Sequence, residues 1–389
     1  MTTRIAILAD MPLQALEGGA AGRGGGHAAT WLPQLAHAFS RERDLEIFWL
    51  TLTGEVSETT VTHLLGQTFY RIPKTSMTVD VLTGYALARG KLLKVLEVIR
   101  PDIVHVWGSE TPYPSVLVAL SKQSIPTIMS MQGILSEYDR IGSFRGNWRI
   151  QLQSRYERGW VRAATVVTSE SEWGLDKVRE MAPDVDGRLV EYGVNPSFYD
   201  LSWNPDPSHP VILYCGGKDW RKGFDLLFGA LTISPAPRWT CWIAGGGSIP
   251  PGQNGMLPPG TEILGNLNWS QLQERMSRAW ALILPTRADT SPNAVKEARV
   301  TGMPVITSRH GGQSGYIRDA ENGMIVDPLT PEGLRQAMDA LLSDFSLTKT
   351  MGAARHAEDR DYFRPERTAE GFTVIYRELV RNAKHVHCS

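Results

Sequence analysis

Residues 284–298 read LPTRADTSPNAVKEA, and this stretch decides the fold. An apolar run ends at Leu284, a polar loop follows, and a helical pattern begins near Pro292. The apolar run is continuous rather than alternating, which is typical of a strand that is buried on both faces of a parallel sheet. A strand that leads through a loop into a helix is one repeat of an α/β fold.

The same alternation of strand and helix extends over the rest of the chain and predicts two doubly wound α/β halves. A proline-rich break at residues 203–210 separates them, and the 389 residues exceed what a single core usually holds. The predicted strands are 5–9, 45–52, 103–107, 127–131 and 165–168 before the break and 211–215, 240–244, 262–264, 281–284 and 305–308 after it. The predicted helices are 31–40, 87–99, 114–122, 224–231, 269–279, 294–301, 332–342 and a last one at about 365–382.

Composition excludes several classes of protein. The net charge is −1, so no overall field draws the chain to nucleic acid or to an anionic membrane. No apolar run approaches the ~20 residues that span a bilayer, and the N-terminal apolar run is too short for a signal peptide. Cys215, Cys241 and Cys388 have no metal-ligand spacing. The sequence therefore predicts a cytoplasmic protein with no nucleic-acid partner.

The start of the helix in residues 284–298 is suited to an anion. Ser291 is predicted to cap this helix, and Pro292 is predicted to occupy its first position. The amides of Asn293 and Ala294 would then point out of the helix N-terminus, where they favour a ligand such as a diphosphate.

Two carboxylates flank this helix start. Asp289 in the loop can meet a sugar hydroxyl, and Glu297 can accept hydrogen bonds from a ribose diol; a capping carboxylate and an ordinary ion pair are the alternative interpretations. The string continues with TGMPVI at residues 301–306 and HGG at 310–312. It resembles the signature of the family-4 retaining glycosyltransferases, whose usual form is Glu-Gly, six residues, Glu-Ala, three residues, Gly-x-Pro-Val.

The resemblance implies a GT-B fold, in which two Rossmann-like domains face each other across a cleft. It assigns residues 1–205 to an acceptor-binding domain, 206–365 to a nucleotide-sugar-binding domain and 366–389 to a helix that crosses back onto the first domain. Asp289, which stands where the family has its first Glu, would help to hold the donor sugar, and Glu297 would bind the ribose. The same stretch would contact the donor through Thr290, Ser291, Asn293 and Ala294.

A second match follows the predicted strand 211–215, where residues 216–227 read GGKDWRKGFDLL. In the family, a Lys-Gly at this place supplies a cation for the donor diphosphate, and Lys222 matches it. Many members carry an Arg five residues earlier, where this chain has Gly217, so Lys218 and Arg221 both stay open as the second cation. Such charge would stabilise a departing diphosphate. A solvated basic turn is the alternative interpretation.

Two glycine-rich loops also match the family. After the first strand, residues 22–27 read GRGGGH, and the resemblance places Gly25 and Gly26 near the donor diphosphate. A flexible turn is the alternative interpretation. His27 is either near the reaction centre or simply solvated. Gly246, in the GGG of residues 245–247, would lie beneath the nucleotide.

Two residues of the first half are predicted on the acceptor or sugar side. Gln132 stands where many relatives carry a His that helps to hold the transferred sugar. An amide can hydrogen-bond a hydroxyl, but it cannot act as an acid or base. Glu110, which follows a predicted strand, is interpreted as an acceptor contact, with an ordinary surface Glu as the alternative.

A basic and aromatic stripe lies in residues 140–162. If this segment is helical, the stripe could touch anionic lipid or a lipid-linked acceptor, or it could be a surface helix that packs its aromatic side chains inward. Its members are Arg140, Arg145, Arg149, Arg155, Arg158 and Arg162, interleaved with Phe144, Trp148, Tyr156 and Trp160.

Taken together, these matches predict an enzyme that moves a hexose from a nucleoside-diphosphate sugar to an acceptor hydroxyl, with retention of anomeric configuration. Asp289, Lys222 and Glu297 are the predicted catalytic residues. No cofactor or metal is expected; UDP-sugars are favoured as donors, and GDP-sugars are the alternative. The acceptor would be a carbohydrate, a lipid-linked glycan or a small molecule, in polysaccharide or glycolipid assembly. A nucleotide-sugar epimerase, a phosphorylase and a non-catalytic nucleotide-sugar-binding subunit are the alternative functions, and the oligomeric state is open.

Overall fold

The computed structural model describes residues 2–16, 31–235, 238–247 and 258–388, with side chains up to residue 383. The described residues divide into two compact units. The first contains residues 2–16, 31–192 and 365–388, and the second contains the described part of 193–364. Each unit is built around its own sheet.

The sheet of the first unit is formed by β1 (Thr3–Leu8), β2 (Leu45–Thr53), β3 (Thr60–Leu64), β4 (Gln67–Pro73), β5 (Ile103–Trp107), β6 (Thr127–Met131), β7 (Val166–Ser169) and β8 (Asp186–Leu189). The strand order is β3-β4-β2-β1-β5-β6-β7-β8. All neighbours are parallel except β3 and β4, which form an antiparallel hairpin that the sequence did not predict. Strands β5, β6 and β7 are buried along their whole length, which explains their continuous apolar sequences.

The helices between these strands are α1 (Leu32–Phe39), α2 (Met77–Leu82), α3 (Ala86–Ile99), α4 (Ser115–Leu120), α5 (Leu135–Arg140), α6 (Trp148–Ala163) and α7 (Glu172–Met181). Helix α6 begins at a genuine cap, because the Asn147 side chain accepts from the amide of Ile150. The basic and aromatic stripe predicted in residues 140–162 is therefore helical over most of its length.

The second unit contains β9 (Val211–Cys215), β10 (Thr240–Ala244), β11 (Thr261–Gly265), β12 (Ala281–Leu284), β13 (Val305–Ser308) and β14 (Gly323–Val326). These strands are parallel, in the order β11-β10-β9-β12-β13-β14. The helices are α8 (Phe224–Leu231), α9 (Trp269–Arg278), α10 (Asn293–Thr301), α11 (Pro331–Leu342), α12 (Phe345–Ala353) and α13 (His356–Tyr362). The predicted α/β class with two parallel sheets is confirmed.

The last helix, α14 (Pro365–Cys388), belongs to the first unit. Phe372 and Tyr376 of α14 share a buried cluster with Trp107 of β5 and with residues of α1. Helices α3, α4, α6 and α7 contribute to a separate cluster formed from the alternate residues of the same strands. Helices α1 and α14 therefore cover one face of the first sheet, and α3, α4, α6 and α7 cover the other.

A buried histidine ties α14 to the sheet. The Nδ1 of His105 lies 2.7 Å from the hydroxyl of Tyr376, and its Nε2 lies 2.7 Å from Oγ of Ser130. Burial lowers the pKa of His105 to about 3, so the ring is neutral and serves as a hydrogen-bonding link between strand and helix. On the surface, Arg377 of α14 pairs with Asp44 at 2.9 Å.

Candidate active site

The strand order of the second sheet reverses between β9 and β12, which are parallel neighbours with Tyr214 opposite Ile283. The loops after these two strands leave the sheet at the same edge. In open α/β sheets, a reversal point of this kind is where ligands bind. Most of the predicted donor residues lie on these two loops and at the start of α10.

The two loops are joined through their backbones. The amide of Arg287 donates to the carbonyl of Arg221 at 2.7 Å, and Oγ1 of Thr286 donates to the same carbonyl at 2.9 Å. Gly223 allows this approach, because its φ is +70° and a Cβ there would lie 1.9 Å from the carbonyl oxygen of Pro285. The side chains of residues 221–222 and 289 are thereby held next to each other.

A charged cluster forms where the loops meet. The ammonium of Lys222 makes an ion pair with Oδ2 of Asp289, and Nη1 of Arg221 lies 3.2 Å from the same oxygen. The side chain of Asp289 is only 11% exposed. Burial alone raises the pKa of Asp289, but Lys222 and Arg221 outweigh it and hold the pKa below its usual value. Asp289 is therefore a carboxylate at neutral pH, and it balances two cations.

The backbone of Asp289 is fixed by the glycine pair that follows β13. The amide of Gly312 donates to the carbonyl of Asp289 at 2.9 Å. Gly311 has φ +139°, and a Cβ there would lie 2.7 Å from that carbonyl oxygen. The absence of side chains thus lets the backbone of these glycines approach the backbone of Asp289. This contact explains why glycine is needed here without invoking a ligand.

Glu297 lies on α10 and is half-buried. Burial raises its pKa to about 7, and the charge of Lys296 offsets part of that rise. Burial also raises the pKa of the Cys215 thiol, at the end of β9, to about 12; Glu297 adds to this rise and Lys222 opposes it. Glu297 and Lys222 therefore both lie close enough to Cys215 to change its pKa, which places Glu297 near the charged cluster.

The predicted cap of α10 is wrong. The helix begins at Asn293, and Pro292, which makes no side-chain hydrogen bond to the helix, precedes it as the cap residue. The hydroxyl of Ser291 is instead hydrogen-bonded to the hydroxyl of Tyr316 at 2.8 Å. Thr290 and Ser291 are buried, so the loop between β12 and α10 is packed against the interior of the second unit.

The structure separates the two candidates for the second cation. The ammonium of Lys218 donates to the carbonyl of Gly245 at 2.6 Å, and burial lowers the pKa of Lys218. Arg221, in contrast, lies against Asp289 beside Lys222. Arg221 is therefore the better placed of the two for a diphosphate that binds at Lys222.

Gly217 and Gly246 support the β9 loop through their carbonyls. Gly217 accepts from the hydroxyl of Tyr214 at 2.6 Å, and Gly246 accepts from the amide of Lys218 at 3.1 Å. A Cβ at Gly217 would lie 2.5 Å from Oδ2 of Asp219. Their contact with a donor stays a prediction.

In the first unit, Glu110 and Gln132 lie close together at the ends of β5 and β6. A Cβ built on Gly108 would be 2.7 Å from Oε2 of Glu110 and 2.9 Å from Oε1 of Gln132. A Cβ on Gly133 would be 2.6 Å from Oε1 of Glu110. The two predicted acceptor-side residues thus both lie against the backbone of Gly108. Gly25, Gly26 and His27 lie outside the described residues.

The model of one protein family matches residues 209–344, the segment that contains both loops of the charged cluster, and that family is described as glycosyl transferases group 1. The predicted resemblance is confirmed, and so is the prediction that the chain is a glycosyltransferase.

Similar proteins support the same fold over most of the chain. A GDP-mannose-dependent alpha-mannosyltransferase of Corynebacterium glutamicum is 21% identical over 304 residues, which cover 76% of this chain and 73% of the relative. The structure of sucrose-phosphate synthase from Thermosynechococcus elongatus matches with a TM-score of 0.78 and 18% identity, over 98% of this chain and all of that one. Anabaena HepE, solved in complex with UDP and glucose, matches with a TM-score of 0.69 and 14% identity, over 97% of this chain and 100% of its own. The glycosyltransferase has the GT-B fold that the sequence predicted.

Helix α6 of this glycosyltransferase holds the loop after β5 and the start of α5, an arrangement that the sequence did not reveal. The side-chain amide of Gln153 donates to the carbonyl of Ser109 at 3.0 Å. Glu157 accepts from the amides of Leu135 and Ser136, each at 2.8 Å. Both polar side chains are buried. They are four residues apart and therefore lie on the same side of the helix, and this spacing is the sequence signal that could have identified an inward-facing polar pair.

Among the described residues, no group of three or more His, Cys, Asp or Glu side chains is arranged to hold a metal ion.

Proposed function

We propose that this glycosyltransferase moves a hexose from a nucleoside-diphosphate sugar to an acceptor hydroxyl with retention of anomeric configuration. The observation that carries the proposal is the cluster of Lys222, Arg221 and Asp289 at the reversal point of the second sheet. Two cations beside one carboxylate suit a ligand in which a diphosphate adjoins a sugar ring, because the cations attract the phosphates and the carboxylate accepts from a hydroxyl.

Donor binding would rearrange this cluster. In the ligand-free protein, Lys222 and Arg221 share the single charge of Asp289. A diphosphate carries more negative charge than one carboxylate, so it competes for both cations. Asp289 is then released to accept from a hydroxyl of the donor sugar. The cluster thereby couples recognition of the phosphates to recognition of the sugar.

The chemistry follows from the leaving group. The bond between the anomeric carbon and the diphosphate breaks while a bond to the acceptor oxygen forms on the same face of the sugar. The acceptor proton passes to an oxygen of the departing diphosphate, which therefore serves as the base. Gln132 cannot take this proton, because an amide is not a base. Lys222 and Arg221 stabilise the charge that develops on the diphosphate.

The acceptor would bind to the first unit, and the donor to the second. Glu110 and Gln132 supply a carboxylate and an amide, which are suited to the hydroxyls of a carbohydrate. We propose polysaccharide or glycolipid assembly as the setting. UDP is the favoured nucleotide of the donor, in line with the UDP in the HepE complex. GDP is the alternative, in line with the GDP-mannose-dependent relative.

We also propose that the enzyme works in the cytoplasm without a bound metal and touches the inner face of the membrane peripherally. No helix of the described chain is long and apolar enough to cross a bilayer. The arginines of α6 support a peripheral contact, because they are exposed on the outer side of the helix.

Thermal unfolding with a panel of nucleoside diphosphates and nucleotide sugars tests the donor site. A ligand at about 100 times its dissociation constant should stabilise the protein by about 2.7 kcal/mol. We expect one nucleotide family to raise the melting temperature of the wild type. Glu297→Ala and Lys222→Ala should lose that rise, and Lys349→Ala, which removes an exposed lysine of the same unit, should retain it.

Three outcomes would count against the proposal. If no nucleotide stabilises the protein, or if both site variants respond as the wild type does, the donor site is assigned wrongly. If nucleotide sugars bind but no sugar is transferred or hydrolysed, the chain is not acting as the proposed enzyme.

Donor affinity should depend on pH through Glu297. Its pKa is raised to about 7 in the ligand-free protein, and ribose hydroxyls donate best to its ionised form. Binding then favours ionisation, so affinity should be highest above pH 7 and fall about tenfold for each unit below it. Isothermal titration at several pH values checks this, with Glu297→Gln as the control, because that variant retains only the pH dependence of the nucleotide. Identical profiles for the two proteins would show that Glu297 does not titrate on binding.

A further inference from the structure

Apolar side chains are exposed together at one corner of the first unit. On α2 and the first turn of α3, Leu82 is 63% exposed and Leu87 is 53% exposed. Trp148, the first residue of α6, is also exposed. Scattered single apolar residues are normal on a surface, but a grouped set marks a contact region. The set consists of Met77, Val79, Leu82, Leu87 and Trp148.

These residues belong to one continuous surface, because α2 packs on α6. Nη1 of Arg149 donates to Oγ1 of Thr78 at 3.3 Å, and the hydroxyl of Tyr156 donates to the carbonyl of Val81 at 3.1 Å. Tyr85, between α2 and α3, lies with its ring 5.6 Å from that of Trp160. We call this region the α2–α6 surface.

The two segments that form the α2–α6 surface carry an excess of positive charge. In residues 141–163 every exposed charged side chain is an arginine, and the single acidic residue, Glu157, is buried. In residues 74–94 the basic residues are Lys74, Arg89, Lys91 and Lys94, and the single acidic residue, Asp80, is again buried. The whole chain has a net charge of −1, so cations are concentrated here while acidic side chains are kept inside.

We propose that the α2–α6 surface docks on an anionic lipid bilayer, with the apolar corner inserted among the head groups and the arginines over lipid phosphates. Apolar and aromatic side chains bordered by Lys and Arg are the chemistry that binds membrane interfaces. A second copy of this chain would meet the same concentration of positive charge, which opposes pairing of two such surfaces. An anionic bilayer satisfies both the apolar corner and its basic border.

This inference rests on the proposed peripheral contact and gives it a position relative to the acceptor site. Helix α6 faces the bilayer with its arginines, and on its inner side Gln153 and Glu157 hold the loop at Ser109 and the start of α5 at Ser136. An acceptor sugar or polyol carried on a lipid would therefore arrive beside the loops that bear Glu110 and Gln132. The acceptor class that follows is an amphiphile with a hydroxylated head group.

Cosedimentation with vesicles tests the surface without requiring transfer. We expect the wild type to bind vesicles that contain about one third phosphatidylglycerol and to bind pure phosphatidylcholine weakly, since each cation contributes roughly fivefold to binding. Arg149→Gln with Arg155→Gln should lower binding to the anionic vesicles by more than tenfold. Leu82→Ser with Leu87→Ser should weaken binding to both kinds of vesicle.

Matched variants on the opposite side of the first sheet serve as controls. Arg41→Gln with Arg43→Gln removes the same charge after α1, and Val374→Ser removes an exposed valine of α14; both should bind as the wild type does. Every variant should keep the nucleotide-induced rise in melting temperature, so the donor site is tested separately. The inference is overturned if the wild type binds neither vesicle, if the surface variants bind as the controls do, or if Leu82→Ser with Leu87→Ser converts a dimer into a monomer.

Discussion

Lys222→Ala should lower kcat/KM for sugar transfer by about 10²–10³-fold, the usual cost of removing one group that stabilises the charge developed in a transition state. Lys222 and Arg221 both contact Oδ2 of Asp289, so in the Lys222→Ala variant Arg221 remains beside Asp289 as a cation for the departing diphosphate. The loss should appear in KM as well as in kcat, since Lys222 would hold the bound diphosphate and also stabilise the charge that grows on it in the transition state. Release of the nucleoside diphosphate, with water or a sugar as acceptor, gives the rate.

Lys349→Ala is the matched control for this prediction. Lys349 is an exposed lysine of the same unit, with its ammonium 4.5 Å from the ring centre of Trp203. Its removal should leave kcat/KM unchanged. Equal rates for Lys222→Ala and the control would mean that Lys222 takes no part in stabilising the leaving group.

Arg299→Met should destabilise the second unit by about 3–5 kcal/mol, because it leaves a buried carboxylate without its cation. Arg299 is fully buried on α10, and its Nε lies 2.8 Å from Oδ2 of Asp359. Its guanidinium also donates to the carbonyls of Met303, Asn322 and Ala354, at 3.2, 3.2 and 2.6 Å. Calorimetry should show a lower melting temperature, and hydrogen exchange should show faster opening of α10, the helix that carries Glu297.

A surface pair of the same geometry provides the comparison. Nε of Arg309 also lies 2.8 Å from an Oδ2, that of Asp327, but the two side chains are 60% and 47% exposed. Exposed pairs usually contribute at most about 1 kcal/mol, so Arg309→Met should barely change the melting temperature. If Arg299→Met changes the melting temperature as little as Arg309→Met does, the buried Arg299–Asp359 pair stabilises the protein no more than an exposed pair.

Ten of the parallel strands could be predicted because strands buried on two faces are rich in apolar residues, whereas the parallel edge strands β8 and β14 were missed. The hairpin of β3 and β4 escaped prediction for two physical reasons. Strand β3 is largely exposed, so burial imposes no apolar pattern on it. Its turn consists of Leu65 and Gly66, both with positive φ, and leucine gives no indication of such a conformation.

Within the site, residue types could be predicted more readily than partners. Lys222 and Asp289 could be predicted as site residues from their motifs, but the choice between Lys218 and Arg221 depends on the distant residues Gly245 and Asp289. Ser291 has the composition of a helix cap, and only the position of Tyr316 shows that its hydroxyl is used elsewhere. The partners of these side chains are residues far apart in sequence, and a local sequence pattern cannot predict such contacts.

The position of α14 has a consequence for how the chain is made. One face of the first sheet is covered partly by Phe372 and Tyr376, which leave the ribosome after the whole second unit has been synthesised. Until then, apolar residues of β1 and β5, such as Ile7 and Trp107, lack part of their cover. The first unit to emerge is therefore the last to be completed, because part of this apolar face stays uncovered until α14 has been synthesised.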